Sequence, residues 1–175
     1  RDFSPVTLRN KSVSFRYAKA AQGGSQKEAD LVQNSFWSFL KQHGIKTKKS
    51  SLVLDGGNIV YSEDKAIVTD RFLQDNNLSK KEGVARLKSL LGISKVAIIP
   101  NDDPEGLAHA DGMVSFVEND VLLVNQYSGE FGRRVRSELK NVFPSTKILE
   151  IPVVYGGQKV DSRFSSACGV HLNAM

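Results

Sequence analysis

The sequence predicts an α/β fold built from one strand–strand–helix–strand unit used repeatedly. Three observations carry this reading. Three amphipathic helices are bounded by capping residues. Two short β-branched runs precede each helix and one follows it. Acidic residues recur at the unit boundaries, with Asp2, Asp55 and Asp111 each just before the first strand of a unit, roughly 54 residues apart. A unit of this size is too small to bury its own faces, so neighbouring units must close around a shared centre. The boundary residues then converge, although they are far apart along the chain.

In the first unit, Pro5–Leu8 and Val13–Tyr17 read as strands. Ser25 and Glu28 have capping-box spacing, and Leu31, Val32, Phe36, Phe39 and Leu40 recur with helical period until Gly44 stops the run. Leu52–Leu54 completes the unit. Strands Ile59–Tyr61 and Ala66–Thr69 open the second unit. Its helix has Ser79 and Glu82 as capping box, Val84, Leu87, Leu90 and Leu91 as apolar face, and Gly92 as stop. Lys95–Ile99 follows as the third strand. The third unit runs through Met113–Phe116 and Val121–Val124. Its helix starts near Ser128, with Phe131, Val135, Leu139 and Val142 on one face, and Pro144 ends it before Lys147–Ile151. A further copy begins near Phe164. Trp37, among Phe36, Phe39 and Leu40, reads as core, and His43 sits at a helix C-terminus where the dipole favours a cation. His171 reads as incidental, and Gly156–Gly157 as a turn without the Lys-Ser/Thr of a phosphate loop.

The chain has 175 residues, 40% hydrophobic and 25% charged, in the range of globular domains. No apolar run approaches the roughly 20 residues that span a bilayer, so no membrane association is expected. The net charge is +5, but the lysines and arginines are scattered in short groups (Lys46, Lys48 and Lys49; Lys80 and Lys81; Arg133, Arg134 and Arg136). They read as a solvated surface rather than a nucleic-acid footprint. The single cysteine, Cys168, excludes an internal disulfide framework. The expected location is cytoplasmic. Both ends read as cut, and residues 1–175 as one domain truncated at both ends. Self-association remains open.

Asp2 in RDFSPV, Asp55 in LVLDGGNIV, and His109 with Asp111 in HADGMVSFV are the candidate site. Each has an ordinary explanation alone. Asp2 is near a terminus, Asp55 precedes the turn-forming Gly56–Gly57–Asn58, and His109 and Asp111 follow a polar loop. Only their joint periodicity singles them out. Carboxylates converging on a pocket suit a cation, and a guanidinium fork matches a carboxylate bidentately. A histidine beside them can act as acid or base near neutral pH. A metal is the rival ligand, but no HxxxH or CxxC spacing supports zinc, and no metal or cofactor is expected.

The segments RDFSPV, LVLDGGNIV and GLAHADGMVSFV, in this order, resemble the agmatine deiminase and bacterial (Porphyromonas-type) peptidylarginine deiminase family of the pentein, or guanidino-group-modifying, superfamily. The resemblance covers nearly the whole chain. It implies a pentein-type α/β propeller of five ββαβ units, of which about three and a half are present. It also implies hydrolysis of linear amidines (agmatine, arginine or peptide arginine) to a ureido product and ammonia, a step that leads from agmatine toward putrescine.

By this resemblance Asp2 and Asp111 bind the guanidinium, His109 is the general acid/base, and Asp55 holds His109. Many relatives carry glutamate at the Asp55 position. The family nucleophile is a cysteine near the C-terminus. The surroundings of Cys168 resemble an earlier strand, which places the nucleophile beyond Met175 and implies an inactive isolated chain. The runner-up readings are an amidinotransferase of the same fold and a non-catalytic pentein binding module. The presence of His109 with three acids speaks against the binding module.

Overall fold

Each pair of β-branched runs closes as an antiparallel hairpin, and each long helix returns the chain to add a third strand in parallel. The computed structural model describes residues 2–8, 11–19, 23–153 and 172. In the first unit β1 (Val6–Leu8) pairs antiparallel with β2 (Lys11–Arg16), and β3 (Lys48–Val53) lies parallel to β2 after helix α1 (Gln26–Gln42). The second unit has β4 (Ile59–Ser62), β5 (Lys65–Thr69), helices α2 (Arg71–Asn76) and α3 (Lys80–Leu91), and β6 (Lys95–Ile99). The third has β7 (Val114–Glu118), β8 (Val121–Asn125), α4 (Gly129–Val142) and β9 (Lys147–Ile151). Each unit is its own three-stranded sheet, with the second strand in the middle. Among the described residues, every strand and long helix expected from the sequence is present, with ends shifted by a few residues at most.

The helix ends follow local chemistry. The Ser25 side chain accepts from the Glu28 amide at the start of α1, and Ser79 and Glu82 form a full reciprocal capping box on α3. Gly92 closes α3 with φ 70°, a left-handed conformation that glycine adopts without Cβ strain. Ser128 occupies the N-cap position of α4 without a capping bond from its side chain. The short helix α2 is an addition to the expected pattern. It buries Phe72, and its Asn76 side chain bonds both the amide and the carbonyl of Val53 at 2.8 Å, standing in for a strand partner at the end of β3.

The middle sheet is apolar on both faces, which joins the units. Ala66 and Val68 of β5, with Val96 and Ile98 of β6, pack with Val13, Phe15 and Leu52 of the first unit. Ile67, Ala97 and Ile99 point the other way, onto Val114, Leu122, Leu139 and Phe143 of the third. Alternate residues of one strand thus serve two cores. This explains why β5 and β6 read as continuous apolar runs.

Helix α1 departs from the expected pattern. Leu40 is buried, but Leu31 and Phe39 are 60% and 48% exposed, and the buried turn carries Gln33 instead. Its buried residues, Ala29, Gln33 and Leu40, form a narrower stripe than the apolar spacing predicts. Trp37 is also not core. It is half-buried, with Lys49 Nζ 3.9 Å from its ring centroid. His43 ends α1, its Nδ1 2.9 Å from the Phe39 carbonyl oxygen. The Arg16 guanidinium grips Asp30 of α1 through two bonds, at 3.1 and 2.8 Å. Hydrogen bonds from Arg16, then Gln26, hold the Asp30 carboxyl below its usual pKa range. No helix among the described residues is long and apolar enough to cross a membrane.

Candidate active site

The site lies where turns that open successive units meet. Asp55 directly follows Leu54 at the end of the first unit and caps a 3-10 turn, Gly56–Asn58, that leads into β4. His109 caps the equivalent turn, Ala110–Gly112, that leads into β7. The two turns pack against each other. His109, rather than Asp111, is therefore the third-unit counterpart of Asp55, and Asp111 stands at the place of Gly57. The boundary repeat is real, but the residue class changes at its third occurrence.

His109 Nε2 lies 3.3 Å from Asp55 Oδ2. The other oxygen, Oδ1, accepts the Ala18 amide at 2.7 Å. That amide, just beyond β2, fixes the rotation of the carboxylate, so the short aspartate side chain reaches the imidazole. Asp55 is 5% exposed and the His109 side chain 13%. The imidazole is thus largely shielded from water but not sealed.

Asp2 is tied to the same turn. The Gly56 amide donates to the Asp2 carbonyl at 2.7 Å, and the Gly57 amide to Asp2 Oδ1 at 3.1 Å. The next residue, Phe3, receives Gln33 Nε2 on its carbonyl at 3.2 Å, which explains the polar residue on the buried face of α1. Asp111 is half-buried and borders a cavity of about 240 Å³ that Ser4, Gly56, Tyr61 and Leu172 also line. The four candidate residues are therefore gathered around two adjoining turns. A larger cavity, about 510 Å³, lies by α1 and is lined by Trp37, Lys41, Lys46 and Lys49. It shares no residue with this group.

Contacts outside the motifs complete the site. Gly57 faces the imidazole so closely that a Cβ there would lie 2.2 Å from His109 Nδ1. The loop before His109 is pinned at several points. Asp70 accepts from the Asn101 amide at 3.2 Å, Arg71 reaches the Gly106 carbonyl at 3.4 Å, and the Tyr127 hydroxyl donates to Asp102 at 2.5 Å. Gly56–Gly57 reads in the sequence only as a turn, and nothing local marks Gly57 as the floor under a histidine 52 positions on. Cys168, His171, Gly156–Gly157 and the start of a further unit near Phe164 lie outside the described residues.

The model of the Porphyromonas-type peptidyl-arginine deiminase family matches residues 1–137. The chain belongs to this family. Three solved structures share its fold. The agmatine deiminase of Enterococcus faecalis has a TM-score of 0.73 and 17% identity, over 94% of this chain and 52% of its own. That of C. jejuni has a TM-score of 0.68 and 21% identity, over 87% and 50%. The dimethylarginine dimethylaminohydrolase of Pseudomonas aeruginosa has a TM-score of 0.51 and 17% identity, over 86% and 51%. The chain spans about half the length of each. No curated protein sequence matches it. The three-unit α/β arrangement is thus that of pentein-fold deiminases.

Proposed function

We propose that this chain is part of a hydrolase of guanidino groups, one that converts an agmatine- or arginine-like substrate to a ureido product and ammonia. The observation that carries the proposal is the His109–Asp55 pair, 3.3 Å apart and largely buried, with Asp2 and Asp111 at the same two turns. Membership of the deiminase family supports it.

In this reading Asp2 and Asp111 take the positive guanidinium, whose planar N–H fork suits two carboxylates. A cysteine thiolate outside residues 1–175 adds to the guanidinium carbon, forming a C–S bond. His109 passes a proton to the departing nitrogen, which leaves as ammonia. His109 then removes a proton from water, the oxygen adds to the same carbon, and the C–S bond breaks. The thiolate and the ureido product are released. Asp55 orients the ring. Residues 1–175 belong, in this proposal, to a single five-unit pentein domain, and by themselves bind substrate weakly without turnover. The site takes a small guanidinium ligand rather than nucleic acid.

The test is to supply the full-length protein with agmatine, arginine and an arginine peptide in turn and to measure ammonia and ureido product. Release with one of them, abolished in His109→Ala, is the expected result. Normal turnover by His109→Ala overturns the assignment. Transfer of the amidino group to an added amine, with no ureido product, replaces it with the amidinotransferase reading.

A further inference from the structure

Thr69, the last residue of β5, is fully buried, and its hydroxyl oxygen lies 2.7 Å from the carbonyl oxygen of Ala108. The same hydroxyl is 2.9 Å from Asn58 Oδ1. A hydroxyl has one proton to give. The Ala108 carbonyl is the nearer of the two acceptors, while Asn58 Oδ1 also takes the Thr69 amide at 3.0 Å. Ala108 is itself unusual, with φ 54°, a left-handed conformation that costs a residue with a Cβ about 1 kcal/mol or more. It is buried and directly precedes His109.

We propose that Thr69 and Ala108 are positioning residues for His109. The carbonyl held by Thr69 lies in the peptide plane joining Ala108 to His109. Because that plane is rigid, fixing its oxygen fixes the direction in which the chain enters His109. The strained φ at Ala108 turns the chain out of the 100–108 loop and aims the imidazole between Asp55 and Gly57. The arrangement also reads outward. Asn58 belongs to the turn that Asp55 caps, so one bonded group, Asn58–Thr69–Ala108, sets the Asp55 turn and the His109 backbone relative to each other. Neither residue lines the cavity that Asp111 borders. They act through the histidine.

The role assigned to His109 rests on the function proposed above, so the test has one arm that needs no activity. In full-length protein, the imidazole NMR signals of His109 are followed against pH in wild type, Thr69→Val and Thr69→Ser. In parallel, kcat and KM are measured with the substrate that wild type accepts. Valine keeps the shape and removes the hydroxyl. Serine keeps the hydroxyl. In Thr69→Val the His109 signals should move. The kcat should fall about 10- to 100-fold, the scale of a displacement near 1 Å, while KM changes less than about threefold. Thr69→Ser should restore both.

If Thr69→Val alone does not fold, the same readings are taken in Thr69→Val/Ala108→Gly, where glycine adopts the left-handed conformation without strain. Unchanged His109 signals in the valine variant overturn the proposal. So does a serine variant as impaired as the valine one, which would make Thr69 a packing residue. A wild type that releases no ureido product defeats the proposed function instead, and leaves the NMR arm to decide the positioning role.

Discussion

Replacing Gly57 with alanine tests the site at its tightest point. The backbone of Gly57 is not in the left-handed region, so alanine brings no conformational penalty and the change is purely steric. The new Cβ would lie 2.2 Å from His109 Nδ1, 2.8 Å from Cε1 and 2.9 Å from Cγ. Ordinary van der Waals contact begins near 3.4 Å, so ring and methyl must separate by about 1.2 Å (3.4 less 2.2). The bond from His109 Nε2 to Asp55 is already 3.3 Å, at the long end of its range, and cannot absorb that shift. The imidazole therefore has to leave its seat.

Overpacking of this kind costs about 1–3 kcal/mol of stability. On the proposed function, a histidine displaced by about 1 Å lowers turnover about 100-fold, or about 2.7 kcal/mol in the barrier. The assay is ureido formation by full-length Gly57→Ala, with urea unfolding and the His109 NMR signals alongside. Gly112→Ala, in the matching turn of the next unit, is the control, because a Cβ there meets nothing within 4 Å. Wild-type turnover by Gly57→Ala, or equal damage from Gly112→Ala, would refute the steric argument.

Two further predictions concern the scaffold. Leu139→Ala, at a fully buried position of α4, should destabilise the chain by about 2–5 kcal/mol. Leu31→Ala on exposed α1 surface should stay within about 0.5 kcal/mol. Urea midpoints measure both, and equal losses would contradict the position of α1. Glu82 has a pKa below its usual range because the Ser79 side chain, then the Ser79 amide, hydrogen-bonds its carboxylate. A carboxyl depressed by folding stabilises the fold when ionised, above its unfolded pKa, and that contribution is lost as pH falls through the folded value. Wild type should therefore lose more stability than Glu82→Gln between about pH 7 and about pH 3. Parallel loss in the two proteins on acid titration would show that the capping box contributes nothing to the pH dependence.

The sequence by itself determined the units. Ser79 with Glu82, Gly92 and Pro144 mark helix ends through contacts within a few residues, and β-branched alternation marks the strands, so this information is local. Asp2, Asp55, His109 and Asp111 were legible as a group because repetition places them at unit boundaries. Tertiary structure decided the remainder. Asp55 and His109 are 54 positions apart, and only the packing of adjacent sheets brings their turns within hydrogen-bond reach. The same packing makes Gly57 a seat for the imidazole and Thr69 a hold on Ala108. It leaves Leu31 and Phe39 of α1 in solvent although their spacing is that of a buried face. Periodicity along a chain reports which residues can share a face, and only the arrival of a neighbouring element determines which of them are covered.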